Sequence, residues 1–167
     1  VDDPGKDDKA YLPLAAKQNA AHTEACNDIE VESWRDECLY LDWSDAALDH
    51  KLGVLATTIR QVNEGLGADI SALQDVENVA VLERLRNEYL EGLGYLPAIL
   101  VEGNDARGID VAFLSKLPLA GEQQLHPMLM AGFSERQGDT RGSLQADFEL
   151  PDGSVLTGFS VHFPAPY

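Results

Sequence analysis

From Ser44 the apolar positions recur at steps of four and three, at Leu48, Leu52, Leu55, Ile59 and Val62. That spacing predicts an amphipathic α-helix. Ser44 is a natural N-cap, and Asp45 sits where a negative charge favours the helix dipole. Gly65 to Gly67 supplies the stop. Asp69–Gln74 then reads as a short buried strand that gives way abruptly to Asp75, Glu77 and Asn78. Asn78 can cap a second helix carrying Val79, Leu82, Leu85, Arg86 and Tyr89 and ending at Gly92 or Gly94, and Pro97–Val101 reads as a further strand.

Beyond this point the period changes. Ile109–Ser115 (IDVAFLS) is a mostly apolar strand. Leu144, Ala146, Phe148 and Leu150 alternate with Gln145, Asp147 and Glu149, which predicts a strand with one face covered. PDGS follows as tight-turn chemistry, and Val155–Phe163 runs back as the partner of an antiparallel hairpin. Helices between the early strands and a hairpin later predict an α/β chain with a mixed sheet and helices packed on it. Residues 1–42 show no convincing period and are expected to form an acidic surface loop region, leaving 43–167 as the core of one domain. Trp34 and Trp43 are expected to be packing or loop anchors.

At 167 residues the chain is one domain's worth. It begins at Val1 with no initiator Met and stops at Tyr167 just after an apolar run, so it is expected to be an internal piece of something longer. No stretch approaches the roughly 18 apolar residues of a membrane helix, and none at the start has the pattern of a signal peptide. The balance of 29 acidic to 12 basic residues repels polyanions overall. Any contact with phosphates must be local or bridged by divalent cations. The Asp2, Asp3, Asp7 and Asp8 cluster does not fit a calcium-binding loop and reads as a solvated run. Cys26 and Cys38 lie in a polar stretch without the spacing of a metal motif. A disulfide closing a surface loop is expected over two free thiols, which places the chain in an oxidising, extracellular or periplasmic, compartment.

Several polar residues fall at the ends of predicted strands: Asp75 and Glu77, Arg107 and Asp110, Arg141, and His162. Taken singly, each has an ordinary structural use as a turn, a cap, an ion-pair partner or a half-buried imidazole. Together they suit one chemistry. Carboxylates bind a hard divalent cation, arginines hold phosphate, and an imidazole handles a proton near neutral pH. That combination is metal-assisted phosphodiester hydrolysis.

In order, HKLGVLATTIRQV, ADISALQDVEN, RGIDVAFLSKLPL, GDTRGSL and LPDGSVLTGFSVHFPAP resemble the endonuclease/exonuclease/phosphatase superfamily, the fold of deoxyribonuclease I and of exonuclease III-type repair enzymes. VDDPGKDDKAYLP looks like the loop after the first strand in its secreted bacterial members. The resemblance implies an α/β fold, the N-terminal part of a four-layer α/β sandwich of mixed sheets flanked by helices. It implies Mg²⁺ or Mn²⁺, with Ca²⁺ as a further candidate, a monomer, and nucleic acid or another phosphodiester as substrate. Asp75 falls on the metal-binding glutamate, with Glu77 as the alternative ligand and Gln74 orienting it. His162 and Asp110 take catalytic positions, and Arg107 and Arg141 lie near the phosphate.

Two departures stand out. Asp replaces Glu at position 75. The family's first-strand Asn, its Gly-Asp-x-Asn segment and its final Asp-His pair would lie before Val1 and after Tyr167, so this stretch alone is expected to be inactive. The alternatives are a binding scaffold that keeps the fold without the chemistry, or a phosphatase or phospholipid phosphodiesterase. A module that merely binds calcium through its N-terminal Asp cluster is a third.

Overall fold

The computed structural model describes residues 10–105, 108–128 and 141–163, which form four α-helices and six β-strands. Helix α3 (Asp45–Arg60) begins after Ser44, as its pattern predicts, and buries Leu52 and Ala56 with Leu48 and Ile59 packed beside them. Its contact face is narrower than the predicted stripe, since Leu55 and Val62 stay exposed. Helix α4 (Val79–Arg84) is capped by Asn78, whose Oδ1 accepts from the Val81 amide at 3.0 Å. It runs on into a π turn, Leu85–Tyr89, in which the Leu90 amide donates to the Leu85 carbonyl. Arg60 of α3 donates to the Tyr89 and Glu91 carbonyls, satisfying acceptors that the end of this helix would otherwise leave open.

Strands β1 (Ile70–Val76), β2 (Ile99–Leu100) and β3 (Asp110–Ser115) form one sheet in the order β1-β3-β2. Strands β4 (Gln124–His126), β5 (Ser143–Glu149) and β6 (Val155–Ser160) form a second, in the order β4-β5-β6. Every pairing between these strands is antiparallel, so the expected mixed sheet is instead two small antiparallel sheets. The β1-helix-β2 unit is split, with β3 inserted between two strands that run the same way, which is why no parallel pairing results. Strand β4 escaped prediction because its three residues are too short to show a period.

The layers follow from β3. Its Ala112 and Leu114 join Leu52, Ala56, Leu82, Leu85, Leu90 and Tyr95 in a core between helices and sheet. Its Val111 and Phe113 join Ile99, Leu144, Ala146 and Phe148 in a second core between the sheets. The described residues thus form helices, sheet and sheet, with α3 and α4 on one side. On the other side of the second sheet, Val155 and Phe159 stand exposed opposite Glu149 and Gln145. Strand β1, expected to be buried, is an edge strand and only half covered.

The expectation of a surface loop up to residue 42 is corrected for the described part. Residues 10–42 contain a short 3-10 turn and helices α1 (Ala20–Asn27) and α2 (Glu32–Tyr40). Neither has an apolar stripe, and the only buried residue of each is its cysteine, so periodicity had nothing to register. Cys26 and Cys38 are joined as a disulfide, which replaces a hydrophobic core in this hairpin. Lys17 lies beneath it, donating to the Glu37 carbonyl. Trp43 links the hairpin to α3, edge-on to Tyr11 and under the Lys51 ammonium, as an anchor should. Trp34 does not pack; it is 62% exposed. The Asp2, Asp3, Asp7 and Asp8 cluster lies outside the described residues.

Glu83 ties α4 to the entry of β2, accepting from the Ala98 amide at 2.6 Å, Arg86 Nε at 2.8 Å and Asn87 Nδ2 at 3.2 Å. Burial by itself pushes this carboxyl up, but the hydrogen bonds and the Arg86 charge outweigh it and hold it below the usual glutamate range. Glu83→Ala should cost about 1–3 kcal/mol. A carboxyl lowered in the folded state contributes stability above its unfolded pKa and loses it as pH falls through the folded value. Urea midpoints of the two proteins should therefore differ at neutral pH and converge in acid, and a constant difference would count against this assignment. Replacing both Cys26 and Cys38 by serine should destabilise the hairpin by about 3 kcal/mol. Hydrogen exchange should then quicken in α1 and α2 while β3 amides stay protected; loss of protection in β3 as well would show that the hairpin is not a separate unit.

Candidate active site at the mouth between the sheets

The pairing of β1 with β3 slips by one residue between Leu73 and Val76, a β-bulge next to the end of the strand. Within it Asp75 takes a left-handed backbone, with φ of 53°. A non-glycine residue pays roughly 1–2 kcal/mol for that conformation, somewhat less for Asp than for bulkier types. The kink leaves the Asp75 side chain 64% exposed.

The exit of β6 meets this bulge. Ser160 Oγ donates to the Leu73 carbonyl at 3.2 Å, and Gln74 Nε2 donates to the Val161 carbonyl at 2.6 Å. Arg141 Nε donates to the His162 carbonyl at 3.0 Å. Three successive residues of the chain that carries the imidazole are thus each held by a side-chain bond. His162 Nδ1 comes to 3.1 Å from Asp75 Oδ1, an ion-pair distance without the alignment of a hydrogen bond. The imidazole is 26% exposed, so one side of it remains open to solvent.

The other predicted site residues divide. Arg141 is buried, and its guanidinium also reaches Asp105 Oδ2 at 3.4 Å, in an ion pair whose side chains are 6% and 3% exposed. Asp110 is buried at the start of β3, where Oδ1 accepts from the Gly103 amide at 2.9 Å and braces the β2–β3 loop. A Cβ on Gly103 would meet that same oxygen at 2.9 Å, so the brace requires glycine. Glu77, the alternative metal ligand, is buried, leaving Asp75 as the carboxylate that solvent reaches. Arg107 lies outside the described residues.

The donor set suits a hard cation held largely by water. Mg²⁺ and Mn²⁺ sites commonly use one or two carboxylates and keep several waters, and Asp75 offers such a carboxylate next to an imidazole. Among the described residues, the cluster of three ligand-type side chains close enough to share an ion is elsewhere, at His22, Cys26 and Cys38. There the sulfurs are joined to each other, with His22 Nε2 3.2 Å from Cys26 Sγ, and that cluster is no place for magnesium.

Two contributors went unread in the sequence. Asp105 looked like one more polar residue of a loop, and its signal was only a carboxylate within reach of an arginine far along the chain. Ser160 sits in an apolar strand, where an inward hydroxyl needs an acceptor and found one in Leu73.

If the left-handed bulge is what delivers the carboxylate, Asp75→Gly should keep the unfolding free energy within about 1 kcal/mol of wild type. Asp75→Val should cost about 1–2 kcal/mol more than the glycine variant; equal stabilities in urea would remove the strain from this account. Compared with known protein families, with curated proteins and with solved structures, the chain matches none.

Proposed function

We propose that the mouth formed by Asp75 and His162 belongs to the active centre of a divalent-metal-dependent phosphodiester hydrolase, of nuclease type. The observation that supports this reading is the 3.1 Å approach of an exposed carboxylate, set on a left-handed bulge, to an imidazole from the other sheet. A cation of the Mg²⁺ or Mn²⁺ kind would be held by Asp75, with water completing its shell; when bound it neutralises phosphoryl charge and lowers the pKa of water. His162 has Nδ1 turned to Asp75, so proton exchange with a phosphoryl oxygen or leaving group falls to Nε2. The Asp75 carboxylate stands beside the ring nitrogen and orients it. Gln74 and Ser160 keep the two strand ends together, so the reacting groups need no rearrangement to meet. Arg107, which the resemblance sets near the phosphate, is the proposed substrate contact.

The acidic chain, with 29 Asp and Glu against 12 Lys and Arg, favours a substrate gripped at one place over a long polyanion held along a basic face. The disulfide supports an extracellular or periplasmic setting. A second reading, a scaffold of the same fold without the chemistry, is favoured by one fact: among the described residues no third carboxylate, imidazole or thiolate completes a cluster around Asp75 and His162.

Titration with Mn²⁺, followed by water proton relaxation, separates the two. The hydrolase reading expects one exposed site, weakened at least about tenfold by Asp75→Ala. No affinity in either protein would favour the scaffold. Turnover of bis-p-nitrophenyl phosphate that His162→Ala leaves unchanged would remove the imidazole from the chemistry.

A further inference from the structure

We infer that Arg141 and Gln74 are positioning residues that act on His162 from behind, and that Arg141 is not a phosphate ligand. This rests on the reading of Asp75 and His162 as the reactive pair. The β5–β6 ladder ends at the pair Leu144 and Ser160. Val161 and His162 therefore run past the last strand partner, and their carbonyls must find donors elsewhere. Side chains take over where the ladder stops: Gln74 donates to the Val161 carbonyl at 2.6 Å and Arg141 Nε to the His162 carbonyl at 3.0 Å. The imidazole is thus carried on a backbone held by two donors, one within β1 and one just ahead of β5.

Asp105 makes Arg141 a fixed support. Its carboxylate lies 3.4 Å from Nη1 in a pair that is almost wholly buried, so the guanidinium is aimed by the β2–β3 loop at one end and committed to the His162 carbonyl at the other. A phosphate reaching this guanidinium would have to penetrate that burial and compete with a carboxylate already in place. The planar fork of arginine makes both bonds at once, which a lysine ammonium on a flexible stem cannot reproduce. Gly142, next in the chain, keeps the support close: a Cβ there would meet the His126 carbonyl at 2.7 Å and Leu125 at 2.8 Å.

The test uses Arg141→Gln, Arg141→Lys, Asp105→Asn and Gln74→Met, with inorganic phosphate and Mn²⁺ as probes. In wild type, nuclear Overhauser contacts should link the His162 ring to the Asp75 side chain. In each variant that contact should weaken, and the Mn²⁺ affinity should fall about tenfold. Inorganic phosphate should bind wild type and Arg141→Gln alike. Arg141→Lys should behave as Arg141→Gln does, since positioning needs the fork and not the charge. An unchanged His162–Asp75 contact in Arg141→Gln and Gln74→Met would overturn the inference. So would phosphate binding that is lost in Arg141→Gln and restored in Arg141→Lys. If loss of Arg141 prevents folding, Gln74→Met, at an exposed position, decides by the same contact. Failure of Mn²⁺ to bind wild type would defeat the hydrolase reading, while the ring contact still decides whether Arg141 and Gln74 position His162.

Discussion

Strand β3 is covered on both faces, and the remaining elements are arranged to make that true. Ala112 and Leu114 lie against the helices, Val111 and Phe113 against the second sheet, and all are buried. Burial of a Val, Leu or Phe side chain is worth roughly 1.5–3 kcal/mol, so one short strand feeds two cores at once. Hydrophobicity does not set its register, because a slip of one residue would still place apolar groups on both faces. Volume does. The small Ala112 faces the crowded helix side, while Phe113 meets Phe148 edge-on across the sheets, with ring centroids 5.4 Å apart. Exchanging them would overfill one core and empty the other.

Asp75 and His162, the proposed reactive pair, sit where that packing ends. Strands β1 and β6 are both edge strands, and their ends are held together by Ser160 and Gln74 across the gap between sheets. Residues deep in the packing, Asp110, Asp105 and Arg141, brace loops and backbone; Asp75 and His162 at the rim remain open to solvent. Burial divides one set of polar residues into internal braces and solvent-facing groups. Their side-chain chemistry alone would not have done so, since an arginine and an aspartate suit either task.

Much of the secondary structure was legible from residue 44 onward: α3 and β5 each bury one face and leave a period, β3 is buried throughout and reads as an apolar run, and β6 follows from the turn that precedes it. The Asn78 cap was equally legible, being a local bond between neighbours. The helices of the N-terminal hairpin were not, since a covalent link does the work that an apolar stripe would otherwise record. The predicted antiparallel hairpin of β5 and β6 forms, but the pairing in the first sheet was misjudged: β3 enters between β1 and β2 from farther along the chain, and no local pattern encodes an insertion. At the site, residue types pointed to Asp75, Gln74, Arg141 and His162, which do converge. The bulge that turns Asp75 outward and the burial that turns Arg141 into a support are tertiary outcomes.

The carboxylate lies in one sheet and the imidazole on the chain that leaves the other, so their separation depends on how the two sheets lie against each other. Gly158 of β6 is placed to reveal this. A Cβ there would come to 3.3 Å from Phe148 and 3.5 Å from Phe113, the two rings that space the sandwich. A single added methyl there, well away from Asp75 and His162, would press on the rings between the layers by a few tenths of an ångström. The alignment of Asp75 with His162 is in this sense a property of the whole stack, open to adjustment by whatever sets the thickness of its middle.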